Sequence, residues 1–324
     1  MNTPKQELTP ELDLSVVLPV YNEQDNIVEL HAEIAAALDT MDLKAEVIYV
    51  DDGSSDETLT RLKELHATDD RIVVVEFRRN FGQTAAMSAG FDFARGKVIV
   101  TMDADRQNDP ADIPKLLAKI DEGYDLVSGW RFDRKDGYWL RLFPSKIANK
   151  LISYITSVNL HDYGCSLKAF RFDVAKQISL YGEMHRFIPA IASWFGVNIA
   201  EVKVNHRART AGESKYGISR TFKVILDLIT VKFLLSYSSK PLQFFGSIGM
   251  ASSGLGAFIG LYLTIQKFMY DQAISDRPLL LLCILLVFIG LQFITVGLLA
   301  ELMTRTYHET QDKPIYNVRN LYRK

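Results

Sequence analysis

Marking the apolar and polar positions divides the chain into two materials. Up to about residue 130, short β-branched runs at 14–20, 45–50, 72–77, 97–102 and 125–128 alternate with stretches whose apolar residues recur every three or four positions. The runs predict buried strands, and the stretches at 26–41, 56–67, 83–95 and 113–122 predict helices. In the first of these, Ile27, Leu30, Ile34 and Leu38 mark one face. Such alternation predicts an α/β domain with a mostly parallel sheet and helices on both faces. Ligands bind sheets of this kind at the carboxyl ends of the strands.

The second material begins near residue 240. Segments 242–266 and 278–300 carry no charged residue. At a rise of about 1.5 Å per residue, each can cross a hydrocarbon core of about 30 Å. A two-helix transmembrane hairpin is therefore expected. Its connection balances Lys267 and Arg277 against Asp271 and Asp276, while both outer flanks are rich in Lys and Arg, which puts both termini on the cytoplasmic side of the cell membrane. Ahead of the hairpin, 218–240 gathers Arg220, Lys223 and Asp227 on one stripe of an otherwise apolar helix, the pattern of a helix lying in the interface. Segment 138–157 predicts another amphipathic helix, broken near Pro144, with Arg141, Lys146 and Lys150 spaced along it. The expected organisation is a flexible tail (1–12), a cytoplasmic α/β domain (13–217), a juxtamembrane helix (218–240), the hairpin (241–301) and a cytoplasmic tail (302–324).

Composition narrows the class. A net charge of −2 argues against a nucleic-acid partner. Cys165 and Cys283 lie far apart, the second inside an apolar run, so buried thiols in a reducing cytoplasm are expected rather than a disulfide. The first residues lack a basic-then-apolar segment, so no cleaved signal is expected.

The chemistry gathers at the predicted strand ends. The first strand ends in Pro19-Val20-Tyr21-Asn22-Glu23, the second in Asp51-Asp52-Gly53-Ser54-Ser55-Asp56, and the fourth in Asp103-Ala104-Asp105 with Gln107 just beyond. In an extended chain residues i and i+2 face the same side, so Asp103 and Asp105 can share one hard cation with Gln107 adding a neutral oxygen; oxygen donors favour Mg²⁺ or Mn²⁺. Acidic strand ends converging on one crevice suit a nucleotide bound through a metal. Neither a G-x-G-x-x-G after the first strand nor a G-x-x-x-x-G-K-[ST] is present, which argues against a dinucleotide oxidoreductase or a P-loop NTPase.

Together, Val17-Leu18-Pro19-Val20-Tyr21-Asn22-Glu23, Val50-Asp51-Asp52-Gly53-Ser54-Ser55-Asp56, Arg79-Asn80-Phe81-Gly82-Gln83 and Asp103-Ala104-Asp105 resemble the inverting family 2 glycosyltransferases of GT-A fold. The nearest branch is that of the polyprenyl-phosphate glycosyltransferases, which includes dolichol-phosphate mannose synthase and the undecaprenyl-phosphate glucosyltransferases. The resemblance implies that Pro19, Tyr21, Glu23 and Asp52 hold the nucleoside of a nucleotide sugar, and that Asp103, Asp105 and Gln107 organise the metal and diphosphate. It also implies that Arg131, Arg141, Arg209 and Lys215 approach phosphates, and that Asp162 lies near the acceptor. Arg106 departs from the family pattern, and an effect on loop packing is expected of it. The implied reaction moves glucose from UDP-glucose to undecaprenyl phosphate with inversion, with GDP-mannose or a UDP-aminopentose as alternative donors, in a homotetramer. A processive polysaccharide synthase normally carries a Gln-x-x-Arg-Trp motif, whereas Trp130, Trp139 and Trp194 follow Gly129, Tyr138 and Ser193. A non-enzymatic membrane scaffold would not need the acidic strand ends.

Overall fold

A computed structural model describes residues 9–132, 153, 158–178, 180, 184–193, 196–207, 241–270, 273, 278–310 and 315–324. The first half alternates as its pattern requires: β1 (Leu12–Val20), α1 (Ile27–Asp39), β2 (Ala45–Asp51), α2 (Thr58–Thr68), β3 (Ile72–Phe77), α3 (Gln83–Phe93), β4 (Gly96–Thr101), α4 (Ile113–Asp121) and β5 (Leu126–Arg131). Then follow β6 (Lys168–Arg171), α5 (Phe172–Gln177), α6 (Ile188–Ser193) and β7 (Ile199–Val204).

The strands form one eight-stranded sheet in the order β7-β5-β6-β4-β1-β2-β3-β8, where β8 is Val318–Tyr322. β1 to β5 and β7 run in one direction, while β6 and β8 run antiparallel to their neighbours. The mostly parallel sheet expected from the alternation is what forms. β1 is central, and its side chains divide between two layers. Leu14, Val16 and Leu18 pack with Ile27, Leu30 and Ile34 of α1, whereas Val17 packs with Ala86 and Phe91 of α3. These residues are almost wholly buried, and each large aliphatic side chain removed from water contributes roughly 1.5–3 kcal/mol before conformational entropy is counted.

Three strands escape the sequence pattern: β6, β7, which pairs with β5 in parallel, and β8. β6 inserts between β4 and β5 in the opposite sense, so the strand ending in Arg131 is not the direct neighbour of the one delivering Asp103. β8 lies in the stretch expected to be a plain tail. It pairs with β3, with Val75 opposite Leu321 and Glu76 opposite Asn320, and covers what would otherwise be a bare sheet edge.

The hairpin forms a second compact unit. Its helices, α7 (Pro241–Tyr270) and α8 (Pro278–Thr310), contain the two expected spans and run past them. By length and composition both are apolar enough to cross a bilayer. Large side chains such as Phe258 (69% exposed) and Leu281 (73%) point outward, as lipid-facing residues do. The small residues serve the hairpin itself: a Cβ on Gly249 would come within 2.5 Å of the Gly290 carbonyl oxygen, so the two backbones meet there.

Candidate active site

The chain leaves β4 through buried Met102 and turns, presenting Asp103 and Asp105 beyond the strand's carboxyl end. Asp103 Oδ1 accepts from Gln83 Nε2 at 2.8 Å. Burial, and then the Asp105 charge, push the Asp103 carboxyl above its ordinary pKa. Two carboxylates that oppose each other's ionisation are a donor set a divalent cation fits, since it reverses the sign of that interaction. Among the described residues no group of three or more His, Cys, Asp or Glu forms a closed cage, so ligand oxygens would complete the coordination. Gln107 enters the described contacts through its backbone: its N–H donates to Asp105 Oδ1 at 3.2 Å and its carbonyl accepts from the Arg207 N–H at 3.0 Å.

The turn between these residues is clamped. Arg106 has a left-handed φ of +61°, unusual outside glycine, and its guanidinium reaches back to Glu29 and Glu33 of α1. Arg207 joins the same network, bonding Glu33 at 2.5 Å and Asp109 at 2.9 Å. Asn108 and His206 also form an isolated bridge. Arg106 thus organises the loop, as its departure from the family pattern suggested.

On the β1–β2 side, the loops are stitched to each other before any ligand arrives. The Asn22 N–H donates to Ser54 Oγ at 3.0 Å, and Asn22 Oδ1 accepts from the Ser55 N–H at 2.8 Å. Gly53, at φ +69°, lets the loop after β3 come close as well: a Cβ there would lie 2.6 Å from the Arg79 carbonyl carbon. Asp52 is buried, and its carboxylate accepts from the Phe81 and Gly82 N–H groups at 2.6 and 2.9 Å, which ties the loop after β3 to β2. Glu23 accepts from Asn26 Nδ2 at 2.7 Å at the entry to α1. Pro19 is partly exposed at the end of β1, and Tyr21 is exposed beside it.

On the β5–β6 side, two expected residues turn out to be partners. Arg131 Nε and Nη2 donate to Asp162 Oδ2 and Oδ1 at 2.6 and 2.9 Å. Burial opposes the Arg131 cation, but the Asp162 carboxylate outweighs it and holds the guanidinium pKa above its ordinary value. The Gly164 N–H donates to Asp162 as well, at 3.1 Å.

Several residues absent from the sequence expectations converge here. An open recess of about 470 Å³ beside Asp103 is lined by Gln83, Ser166, Lys168, His185 and Arg186, among others. Lys168 is buried and donates to the carbonyls of Tyr163 and Cys165, and burial lowers its pKa. His185 Nδ1 lies 2.9 Å from Thr84 Oγ1, and burial, with Arg186 adjacent, lowers its pKa to about 3, so the imidazole is neutral. Ser166, Lys168, His185 and Arg186 follow β5, where the βα alternation has ended. The one sequence signal is a polar His-Arg pair entering the apolar run Phe187-Ile188-Pro189-Ala190. Arg141, Arg209 and Lys215, like the helices expected at 138–157 and 218–240, lie outside the described residues.

Residues 15–179 match the family model described as Glycosyl transferase family 2. The dodecaprenyl-phosphate galacturonate synthase of Rhizobium johnstonii is 47% identical over 317 residues, covering 96% of this chain and 93% of that protein. The undecaprenyl-phosphate 4-deoxy-4-formamido-L-arabinose transferase of Shewanella sediminis is 38% identical over 310 residues, covering 95% and 92%. Among solved structures, the glucosyl-3-phosphoglycerate synthase of Mycobacterium tuberculosis, crystallised with Mn²⁺, UDP and glucosyl-3-phosphoglycerate, superposes with a TM-score of 0.53 at 19% identity, over 69% of this chain and 80% of that one. Its likeness is one of fold. With acidic strand ends on a GT-A sheet and relatives matched almost end to end, the chain belongs to glycosyl transferase family 2, in its polyprenyl-phosphate glycosyltransferase branch.

Proposed function

We propose that this enzyme moves one sugar from a nucleoside diphosphate sugar to a polyprenyl phosphate, inverting the anomeric carbon. The observation that carries the reading is the Asp103/Asp105 pair beyond the end of β4, in a chain that also bears two helices of bilayer length. A lipid acceptor is confined to the membrane, while the donor arrives from the cytoplasm. Pro19, Tyr21, Glu23 and Asp52 hold the nucleoside, and Arg131, Arg141, Arg209 and Lys215 meet phosphate charge. A divalent cation, Mg²⁺ or Mn²⁺, held by Asp103 and Asp105, with Gln107 as a further oxygen donor, would offset the charge of the departing nucleoside diphosphate. The acceptor phosphate has a second pKa near 6 by analogy with phosphoserine, so it is largely ionised at neutral pH and needs no strong base. Asp162 is therefore assigned to holding Arg131 rather than to proton removal.

The glucose implied by the family resemblance finds no support in the two relatives named above, which carry galacturonate and 4-deoxy-4-formamido-L-arabinose in their names. We take the donor to be a nucleoside diphosphate uronic acid, on the greater likeness to the galacturonate synthase. Membranes containing the protein, incubated with Mg²⁺, undecaprenyl phosphate and radiolabelled UDP-galacturonate or UDP-glucose, test it. A lipid carrying a single labelled galacturonate is expected. A polymer would indicate a processive synthase, and no labelled lipid from either donor would overturn the reaction class.

A further inference from the structure

Of the cationic side chains lining the recess beside Asp103, one has no hydrogen-bond or ion-pair partner among the described residues. Lys168 spends its ammonium on the carbonyls of Tyr163 and Cys165. Arg131, whose Nη2 lies near Gly164 at the rim, is closed onto Asp162 by two hydrogen bonds. His185 is neutral and shares its Nδ1 with Thr84. Arg186 lines the same recess and has no hydrogen-bond or ion-pair partner among the described residues. For a partly buried guanidinium with no partner among the described residues, next to a substrate-binding carboxylate, an anionic ligand would offset the solvation lost on burial.

The position of the recess limits what that anion is. Asp103 belongs to the part of the crevice assigned to the diphosphate and the sugar it carries, and Gln83 and Ser166, both bonded to Asp103, supply neutral donors and acceptors of the kind sugar hydroxyls use. A neutral hexose has nothing there for a cation to pair with. A hexuronic acid differs from it by one carboxylate at C6, which matches the guanidinium fork bidentately.

We propose that Arg186 reads the C6 carboxylate of the transferred sugar and thereby sets the enzyme's preference for a uronic acid donor. This rests on the reaction proposed above and adds to it the residue that selects the donor. The rival source of negative charge is the phosphate of the lipid acceptor, and the two make opposite demands on kinetics.

The test compares purified wild-type enzyme with Arg186→Gln and Arg186→Lys, using UDP-galacturonate and UDP-galactose as donors and undecaprenyl phosphate as acceptor. For Arg186→Gln, kcat/KM with UDP-galacturonate is expected to fall about 100-fold and that with UDP-galactose to change by less than about 3-fold. The acceptor KM and inhibition by UDP should stay at wild-type values, the latter reporting an intact nucleotide site. Arg186→Lys keeps the charge without the fork and should recover part of the loss with the uronate alone. An equal loss with both donors, or a raised acceptor KM, overturns the assignment and gives Arg186 to the acceptor phosphate. If the wild type transfers galactose in preference to galacturonate, the donor reading fails and this inference falls with it, while the reaction class stands. Lack of transfer from every donor sinks the reaction class itself.

Discussion

Arg131 and Asp162 close on each other through two parallel hydrogen bonds of 2.6 and 2.9 Å, with the side chains 15% and 4% exposed. The pairing changes what each does: a carboxylate with both oxygens engaged by a guanidinium is a poor proton acceptor, and a guanidinium so held has a fixed direction. Asp162→Asn is expected to lower melting temperature, since breaking a buried pair costs about 3–5 kcal/mol, and to lower kcat/KM by about 10- to 100-fold through a misplaced Arg131. Asp105→Asn should cost more, about 1000-fold, with little effect on folding. Assays of both variants at saturating Mg²⁺ check the order. Normal turnover by Asp105→Asn would remove the metal assignment.

Glu33 receives both Arg106, from the turn between Asp103 and Gln107, and Arg207, from the end of β7. Glu33→Gln is expected to raise the Mg²⁺ concentration for half-maximal activity about 10-fold, because the turn loses its tether while every proposed ligand is kept. Metal titration of activity beside UDP affinity separates this from general loosening, which would weaken both.

His185 gives a pH dependence with a definite sign. Its folded-state pKa is about 3 against an ordinary value of 6.5, so between these values the unfolded chain binds the extra proton and the folded one does not. Stability is then fully present above about pH 6.5 and declines as pH falls below it, at up to about 1.4 kcal/mol per pH unit. Melting temperature should therefore drop between pH 7 and 5, and His185→Gln should flatten that slope.

Tyr316 stacks on Phe77 with ring centroids 5.2 Å apart, and Phe77 meets Phe81 edge-on at 5.7 Å, next to the N–H groups that Asp52 holds. Tyr316→Ala is expected to cost about 2 kcal/mol of stability and to raise the donor KM several-fold with kcat little changed. Steady-state kinetics across donor concentrations would check this. An unchanged KM would show that the Phe81 loop is set by Asp52 alone.

What could be read from the sequence followed burial. The strands from β1 to β5 are apolar on both faces, so their runs stand out, and acidic residues at their ends announce themselves by contrast. β6 is four residues, Lys168–Arg171, charged at both ends, and β8 reads Val-Arg-Asn-Leu-Tyr in a polar tail; sheet partners distant in sequence, on β4 and β5 for the one and on β3 for the other, decide both. The Arg131–Asp162 pair joins residues 31 apart across segments without periodicity, so no local pattern announces it. The Arg106 clamp was foreseeable only as an oddity within a motif. Its anchors, Glu29 and Glu33, looked like ordinary wet-face residues of an amphipathic helix.

β8 also fixes an order of events during synthesis. The strand that covers β3 emerges from the ribosome only after both long apolar helices have been made, so the catalytic sheet waits with one side open until the hairpin is complete. Until then the nascent domain is a template for any passing extended segment. Synthesis of the whole apolar hairpin thus precedes completion of the sheet, and the unit whose residues are mostly translated first is the one that can be finished last.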